Sequence, residues 1–273
     1  MTTPVPPDSP TVEERSSGRV YVPEPELEDT VRIALACGRP LLLRGKPGTG
    51  KSTLARWFQL QQGPGWGYEE FVVTSRTRAA DLGWTLDAVE RLADAQAQQL
   101  KPLVAYVHEG PLARAYRHEG PGFVLLIDEI DKADPDVPND LLVPLGTNRV
   151  RIEPTGVEIE RRRDAQVLVV LTTNEERELP AAFLRRCVVY TIPLPDAARL
   201  ALIARAHFPA LDEGKATKFA ETFVKLRNRT HGRTISTAEF LDAIAAVREL
   251  GDTPELWALV TRVALRKDDA DSR

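Results

Sequence analysis

Residues able to bind a phosphate group are concentrated in one glycine-rich segment. Gly45-Lys46-Pro47-Gly48-Thr49-Gly50-Lys51-Ser52 matches the phosphate-binding loop pattern in full, between an apolar run and a helical pattern. Glycines allow backbone N–H groups to turn toward phosphate oxygens, and a helix N-terminus favours the anion. The alternative is a glycine-rich turn with an accidental Lys-Ser. We expect ATP and Mg²⁺ to bind here, through these residues: Gly45, Pro47, Gly48, Thr49, Gly50, Lys51, Ser52 and Thr53.

Within this segment two side chains have distinct expected roles. The Lys51 ammonium would reach the β- and γ-phosphates, and the Ser52 hydroxyl would be a ligand of Mg²⁺.

Two adjacent carboxylates follow a second apolar run. Phe123-Val124-Leu125-Leu126-Ile127 ends in Asp128 and Glu129. Ligands of open α/β sheets bind at the carboxyl ends of the strands, where such residues lie. Asp128 would hold Mg²⁺, directly or through water, and Glu129 would act as general base on the attacking water. Alone, an apolar run followed by Asp-Glu is often only a strand entering a loop.

Two further segments could complete a hydrolytic site. Thr172-Thr173-Asn174 ends another apolar run, where Asn174 could orient the lytic water or merely cap a turn. Arg185 and Arg186 end a short helical pattern. They either complement the helix dipole or supply an arginine finger to the γ-phosphate site of a neighbouring subunit, which requires an oligomer.

Strand and helix patterns alternate between these segments. Apolar runs predict strands at 40–44, 71–74, 123–127, 167–172 and 187–192. Helical patterns cover 23–38, 53–62, 81–99 and 139–145. Wholly apolar strands separated by helices indicate an α/β fold with a five-stranded parallel sheet.

After Pro195 the patterns become helical throughout, at 196–207, 213–227, 237–250 and 254–267. We therefore predict a flexible N-terminal tail at 1–22, a nucleotide-binding α/β domain at 23–193, and a small all-helical lid domain at 194–273.

Composition limits the classes of partner. The 273 residues carry 36 Lys and Arg against 40 Asp and Glu, a net charge of −4, which does not favour nucleic-acid or membrane capture. No apolar run approaches the ~20 residues of a membrane span. The two cysteines, Cys37 and Cys187, lie far apart in apolar contexts. We expect both to be buried thiols in a reducing cytoplasm.

Taken together, these motifs resemble the AAA+ ATPase superfamily, and within it the MoxR-like and dynein-related AAA group. The resemblance covers about Pro23 to Lys267 and implies a hexameric ring. Lys51 and Ser52 match the Walker A pair, Asp128 and Glu129 the Walker B pair, and Asn174 sensor 1. Arg186 matches the arginine finger better than Arg185, since it lies closer to the fifth strand.

The same resemblance implies two hairpins and a second sensor. Family members carry one hairpin inserted in the second helix, which 106–118 could form, and another before the sensor strand, which 149–160 would form. The lid helix beginning near Ser236 has no arginine in the expected place. Arg233 is the nearest substitute for sensor 2, and Arg229 is another.

The resemblance implies an oligomeric ATPase that remodels a protein client or activates a partner of the von Willebrand A type. One alternative is a nucleotide-gated binding switch with incidental turnover, which the intact Asp128 and Glu129 disfavour. A GTP-using, nucleic-acid-linked motor and a P-loop kinase are the others. The mild acidity disfavours the motor, and the sensor and finger elements disfavour the kinase.

Overall fold

A computed structural model describes residues 17–228, 235–251 and 253–260 of the chain. Within them the strands are β1 Leu41–Arg44, β2 Trp66–Val72, β3 Trp84–Leu86, β4 Val107–Glu109, β5 Gly122–Asp128, β6 Arg149–Ile152, β7 Val157–Glu160, β8 Gln166–Thr173 and β9 Val188–Thr191. The α-helices are α1 Pro25–Cys37, α2 Lys51–Gln61, α3 Ala79–Gly83, α4 Ala88–Gln96, α5 Pro111–Arg117, α6 Asp136–Asp140, α7 Leu142–Thr147, α8 Ala181–Leu184, α9 Ala197–His207, α10 Glu213–Arg227, α11 Thr237–Leu250 and α12 Pro254–Val260.

The residues cluster into two compact units. The sheet unit comprises Glu24–Arg44 and Phe58–Thr191. The helical unit comprises the described parts of Met1–Pro23, Gly45–Trp57 and Ile192–Arg273.

The sheet unit is built on five parallel strands in the order β2-β5-β8-β1-β9. Its inner strand β5 is buried from Gly122 to Ile127, as expected for a strand covered on both faces. Because Leu126 pairs with Val170 and Ile127 with Leu171, β5 and β8 end side by side. The predicted five-stranded parallel α/β fold is thus confirmed, and the carboxyl ends of β5 and β8 are brought together.

The first predicted hairpin is present, but with different strands. β3 pairs antiparallel with β4, so that Trp84 lies opposite Glu109. The prediction that 106–118 forms this hairpin is wrong, because Pro111 begins α5, where a proline at the first helical position is favourable. The second hairpin is confirmed, since β6 and β7 pair antiparallel around Pro154-Thr155-Gly156.

The predicted continuous helix at 81–99 is also wrong. The chain forms α3, β3 and α4 there, and the Asp87 carboxylate caps α4 by accepting a hydrogen bond from the Glu90 N–H at 2.7 Å. The periodic apolar residues that predicted one helix do not face a core: Val89 is 80% exposed and Leu92 is 61% exposed. The helix predicted at 139–145 is likewise two short helices, α6 and α7.

The helical unit has its own apolar core from α9, α10 and α11. Leu200, Phe208, Phe223 and Phe240 are buried in it, and the rings of Phe223 and Phe240 lie 4.9 Å apart. The four predicted helices of this region are present where the chain is described. Residues 1–16 of the predicted tail at 1–22 lie outside the described residues.

Of the two cysteines, Cys187 is buried as expected, but Cys37 is exposed near the end of α1. The helices formed by the described residues include none that is both long and apolar enough to cross a membrane.

Candidate active site

The phosphate-loop segment has a backbone that requires its glycines. Gly45, Gly48 and Gly50 have φ angles of 149°, 72° and 88°, which side-chain-bearing residues rarely adopt. A Cβ at Gly48 would lie 2.3 Å from the Cβ of Ser236, so a side chain there would also collide with the start of α11. The loop therefore has the backbone freedom that a cradle of inward N–H groups demands.

Lys51 is buried at the start of α2 and holds the loop together. Its Nζ donates to the carbonyl oxygens of Gly45 at 2.7 Å and Lys46 at 3.0 Å. The Thr49 hydroxyl donates to the same Lys46 carbonyl at 2.9 Å. The ammonium is thereby fixed inside the loop it is predicted to serve, and Ser52 and Thr53 follow in the first turn of α2.

Other parts of the helical unit adjoin this loop. Ser236 is the N-cap of α11, in a capping box with Glu239 whose two backbone-to-side-chain bonds are 3.2 and 2.8 Å. The ring of Tyr21 would lie 3.0 Å from a Cβ at Gly50, and it packs 5.7 Å from the ring of Trp57. The sensor 2 candidates Arg233 and Arg229 lie outside the described residues.

At the carboxyl edge of the sheet, Asp128 and Glu129 are joined through one hydroxyl. The Thr172 side chain donates a hydrogen bond to Oδ1 of Asp128 and accepts one from the Glu129 N–H at 2.9 Å. Glu129 has a left-handed backbone, with φ 61°, which costs on the order of 1 kcal/mol for a residue with a side chain. The turn is therefore held against its own preference by contacts such as this one.

The Glu129 side chain has two partners. The Asn174 amide donates to Oε1 at 3.1 Å, and the Lys132 ammonium donates to Oε2 at 2.6 Å. The hydrogen bond to Glu129 is the main cause that raises the pKa of Lys132 above its ordinary value. The structure thus brings Asp128, Glu129 and Asn174 together at one edge of the sheet, and their catalytic roles stay predictions.

Arg185 and Arg186, which follow α8, are exposed, and the Arg39 side chain forms hydrogen bonds to their backbone. The Arg39 guanidinium donates to the carbonyl oxygens of Arg186 and Cys187, both at 3.1 Å, and to that of Arg185. Arg185 and Arg186 are therefore presented from a fixed backbone with their side chains in solvent.

The sequence motifs assign no individual role to three of these residues. Thr172 is wholly buried, Lys132 lies three residues after Glu129, and Arg39 lies 146 residues before Arg185. The only sequence signal was for Thr172, because a polar residue at the end of an apolar strand needs a buried partner.

A glycine-rich loop after β1, two carboxylates after β5 and an amide after β8, on a parallel sheet of this order, are the features of a P-loop α/β fold. The AAA domain family of the dynein-related subfamily matches residues 40–187, more than half of the chain. The chain belongs to this AAA family.

Solved structures support the same fold. A protein of Cytophaga hutchinsonii assigned as an ATPase is 16% identical with a TM-score of 0.50, and the match covers 92% of this chain and 83% of that one. A point mutant of Thermotoga maritima RuvB is 17% identical with a TM-score of 0.53, covering 94% and 73%. The Thermotoga maritima RuvB Holliday junction branch migration motor is 15% identical with a TM-score of 0.52, covering 91% and 73%. No curated protein matches the chain.

Proposed function

We propose that this AAA protein hydrolyses ATP to ADP and phosphate with Mg²⁺, as a MoxR-like ATPase. The observation that carries the proposal is the contact between Asn174 and Glu129 at the ends of β8 and β5. Both side chains have the roles that hydrolysis requires: a carboxylate to accept a proton from water, and an amide to fix its position.

Residues of the two motifs are suited to Mg-ATP. The Ser52 hydroxyl and the Asp128 carboxylate are hard oxygen donors of the kind that Mg²⁺ prefers, and the loop's positive-φ glycines suit a phosphate cradle. Bound Mg²⁺ would neutralise charge developing on the phosphate oxygens. Lys51, already inside its loop, would bind the β- and γ-phosphates.

The proposed reaction uses Glu129 as the base. Glu129 takes a proton from the attacking water as the water oxygen bonds to the γ-phosphorus and the bond to the β–γ bridging oxygen breaks. Asn174 and Lys132 hold the two oxygens of this carboxylate, so its orientation is set before the water is attacked. The Lys132 ammonium must give up or share its hydrogen bond to the Glu129 carboxylate when that carboxylate accepts the proton.

The arginines support the proposal of an oligomer. Members of this fold class place an arginine finger in a neighbouring subunit's site, and the exposed Arg186, with Arg185 as the alternative, suits that role. We therefore propose a homo-oligomer, a hexamer by resemblance, acting on a protein client or a partner of the von Willebrand A type. Arg233 remains the proposed sensor 2 residue. The proposed domains remain the nucleotide-binding domain at 23–193 and the lid domain at 194–273.

The test compares Glu129→Gln with Glu175→Gln in steady-state ATP hydrolysis and in binding of a fluorescent ATP analogue. Glu175 is a matched control, because it also follows a parallel strand with a left-handed backbone, at φ 60°. General-base catalysis contributes roughly 10²- to 10⁴-fold, so Glu129→Gln should lose that factor in kcat while it still binds the analogue.

Two outcomes would contradict the proposal. Equal rates for Glu129→Gln and Glu175→Gln would remove Glu129 from the reaction. A wild-type chain that binds ATP without turnover would instead support the nucleotide-gated binding switch.

A further inference from the structure

The end of β8 contains a buried hydroxyl to which neither the sequence motifs nor the family resemblance gives a role. Thr172 is 0% exposed, one strand away from the paired carboxylates. Its single hydroxyl makes two bonds at once: it donates to Asp128 Oδ1 and accepts from the Glu129 N–H. A hydroxyl offers one donor and two acceptor sites, so both contacts can form together.

Each bond constrains a different part of the site. The bond to Asp128 Oδ1 fixes the rotation of that carboxylate about its last torsion, which is otherwise broad. The bond from the Glu129 N–H holds the peptide that precedes the Glu129 side chain in its left-handed turn. The same hydroxyl thus orients the proposed metal ligand and the proposed base relative to each other.

Two further hydrogen bonds join the segments that follow β5 and β8. The Asp131 carboxylate, 3% exposed, accepts a hydrogen bond from the Glu176 N–H at 2.9 Å through Oδ2. The Arg177 guanidinium donates to the Ala133 carbonyl at 3.3 Å. These contacts tie the loop after β5 to the loop after β8, and Thr172 is the link that reaches the two carboxylate residues themselves.

We propose that Thr172 is a positioning residue, whose hydroxyl sets the orientation of Asp128 toward Mg²⁺ and of Glu129 toward water. The role rests on the proposed function of the site, and it affects the affinity for the metal as well as turnover. Partners that orient metal ligands typically change metal affinity or activity by about 10- to 100-fold when they are removed.

A set of substitutions separates this role from simple packing. Thr172→Val keeps the shape and loses the hydroxyl, whereas Thr172→Ser keeps the hydroxyl and loses a methyl group. Thr173→Val is the matched control: Thr173 is also buried, at 1% exposed, but its hydroxyl accepts from the Glu175 N–H at 2.9 Å. If packing alone mattered, valine would be the milder change at position 172.

The experiment uses the full chain and measures Mn²⁺ affinity in the presence of ADP by electron paramagnetic resonance, with kcat and KM for ATP in parallel. Thr172→Val should weaken Mn²⁺ binding and lower kcat by about 10- to 100-fold each, with little change in nucleotide affinity in EDTA. Thr172→Ser and Thr173→Val should keep Mn²⁺ affinity near that of the wild type.

The readouts separate the failure of this inference from that of the proposed function. Thr172→Val with wild-type Mn²⁺ affinity, or Thr172→Ser impaired as much as Thr172→Val, would overturn the positioning role. A wild-type chain without turnover would overturn the proposed hydrolysis, while the Mn²⁺ titration would still decide the role of Thr172. If Thr172→Val does not fold, Thr172→Cys, with its weak donor, carries the same comparison.

Discussion

The side-chain amide of Asn174, after β8, donates a hydrogen bond of 3.1 Å to Oε1 of Glu129, after β5. The two residues are 45 positions apart in the chain. They meet because β5 and β8 are neighbours in a parallel sheet and end at the same edge. Asn174 can therefore orient Glu129 without belonging to the same loop.

We predict that Asn174→Ala lowers kcat by about tenfold with little change in KM. A hydrogen bond to a charged group contributes about 1.5 kcal/mol or more, and about 1.36 kcal/mol is tenfold in rate. Asn174→Asp should be worse, because it places a second carboxylate beside Glu129. Steady-state kinetics decides the matter, and a rise in KM at constant kcat would show instead that Asn174 serves substrate binding.

The edge of the sheet could be predicted because its strands are unbroken apolar runs. β5 and β8 are buried almost throughout, and the polar residues at their ends are where chemistry was expected. A buried parallel strand leaves little choice of register or face. The location of Asp128, Glu129 and Asn174 at this edge could therefore be predicted from their positions in the sequence alone.

The region from Ala79 to Glu109 could not be predicted in the same way. Val89 and Leu92 have helical spacing, which indicates a helix but does not show whether its apolar face is covered. The pairing of β3 with β4 joins distant stretches of the chain and depends on contacts that no local pattern records. Long-range hydrogen bonds, such as those from Arg39 to the backbone that follows α8, could not be predicted for the same reason.

The arginine-finger proposal predicts complementation between two inactive variants. Arg186→Ala should lower kcat on the order of 10³-fold while it leaves ATP binding intact. Mixed with Glu129→Gln, it should recover activity, because a chain with Glu129 then adjoins a chain with Arg186. The assay is ATP hydrolysis against mixing ratio, with Arg185→Ala as the comparison. Absence of recovery together with a concentration-independent rate would refute the shared site.

Arg39 should stabilise the sheet unit more than an ordinary surface arginine. Its guanidinium donates to three successive carbonyls at the end of α8, and hydrogen bonds to charged groups contribute about 1.5–3 kcal/mol. We expect Arg39→Ala to lower the free energy of unfolding by about 1–2 kcal/mol, since the carbonyls regain water. Arg149→Ala, which loses only an exposed ion pair with Glu160, should cost less than about 1 kcal/mol. Urea unfolding gives both values, and equal costs would show that the clamp is dispensable.

The two cysteines should differ in their reactivity toward thiol reagents. Burial raises the pKa of the Cys187 thiol to about 12, only partly opposed by the charges of Arg39 and Arg44, whereas Cys37 is exposed. Because the thiolate is the reactive species, a thiol reagent at about pH 8 should label Cys37 quickly and Cys187 only after unfolding. Rapid labelling of both thiols, or of Cys187 in a Cys37→Ser variant, would contradict the burial.

The same pKa fixes the sign of a pH dependence. Well below pH 9.0, the ordinary value, Cys187 is protonated in both the folded and the unfolded chain and contributes no slope. Between pH 9 and about pH 12 the unfolded chain loses this proton while the folded chain keeps it, so the free energy of unfolding falls as pH rises. Cys187→Ala removes this term, so its stability should decline less steeply across that window. Urea unfolding of both proteins at about pH 8, 9 and 10 measures the difference, and parallel curves would show that the Cys187 thiol ionises equally in both states.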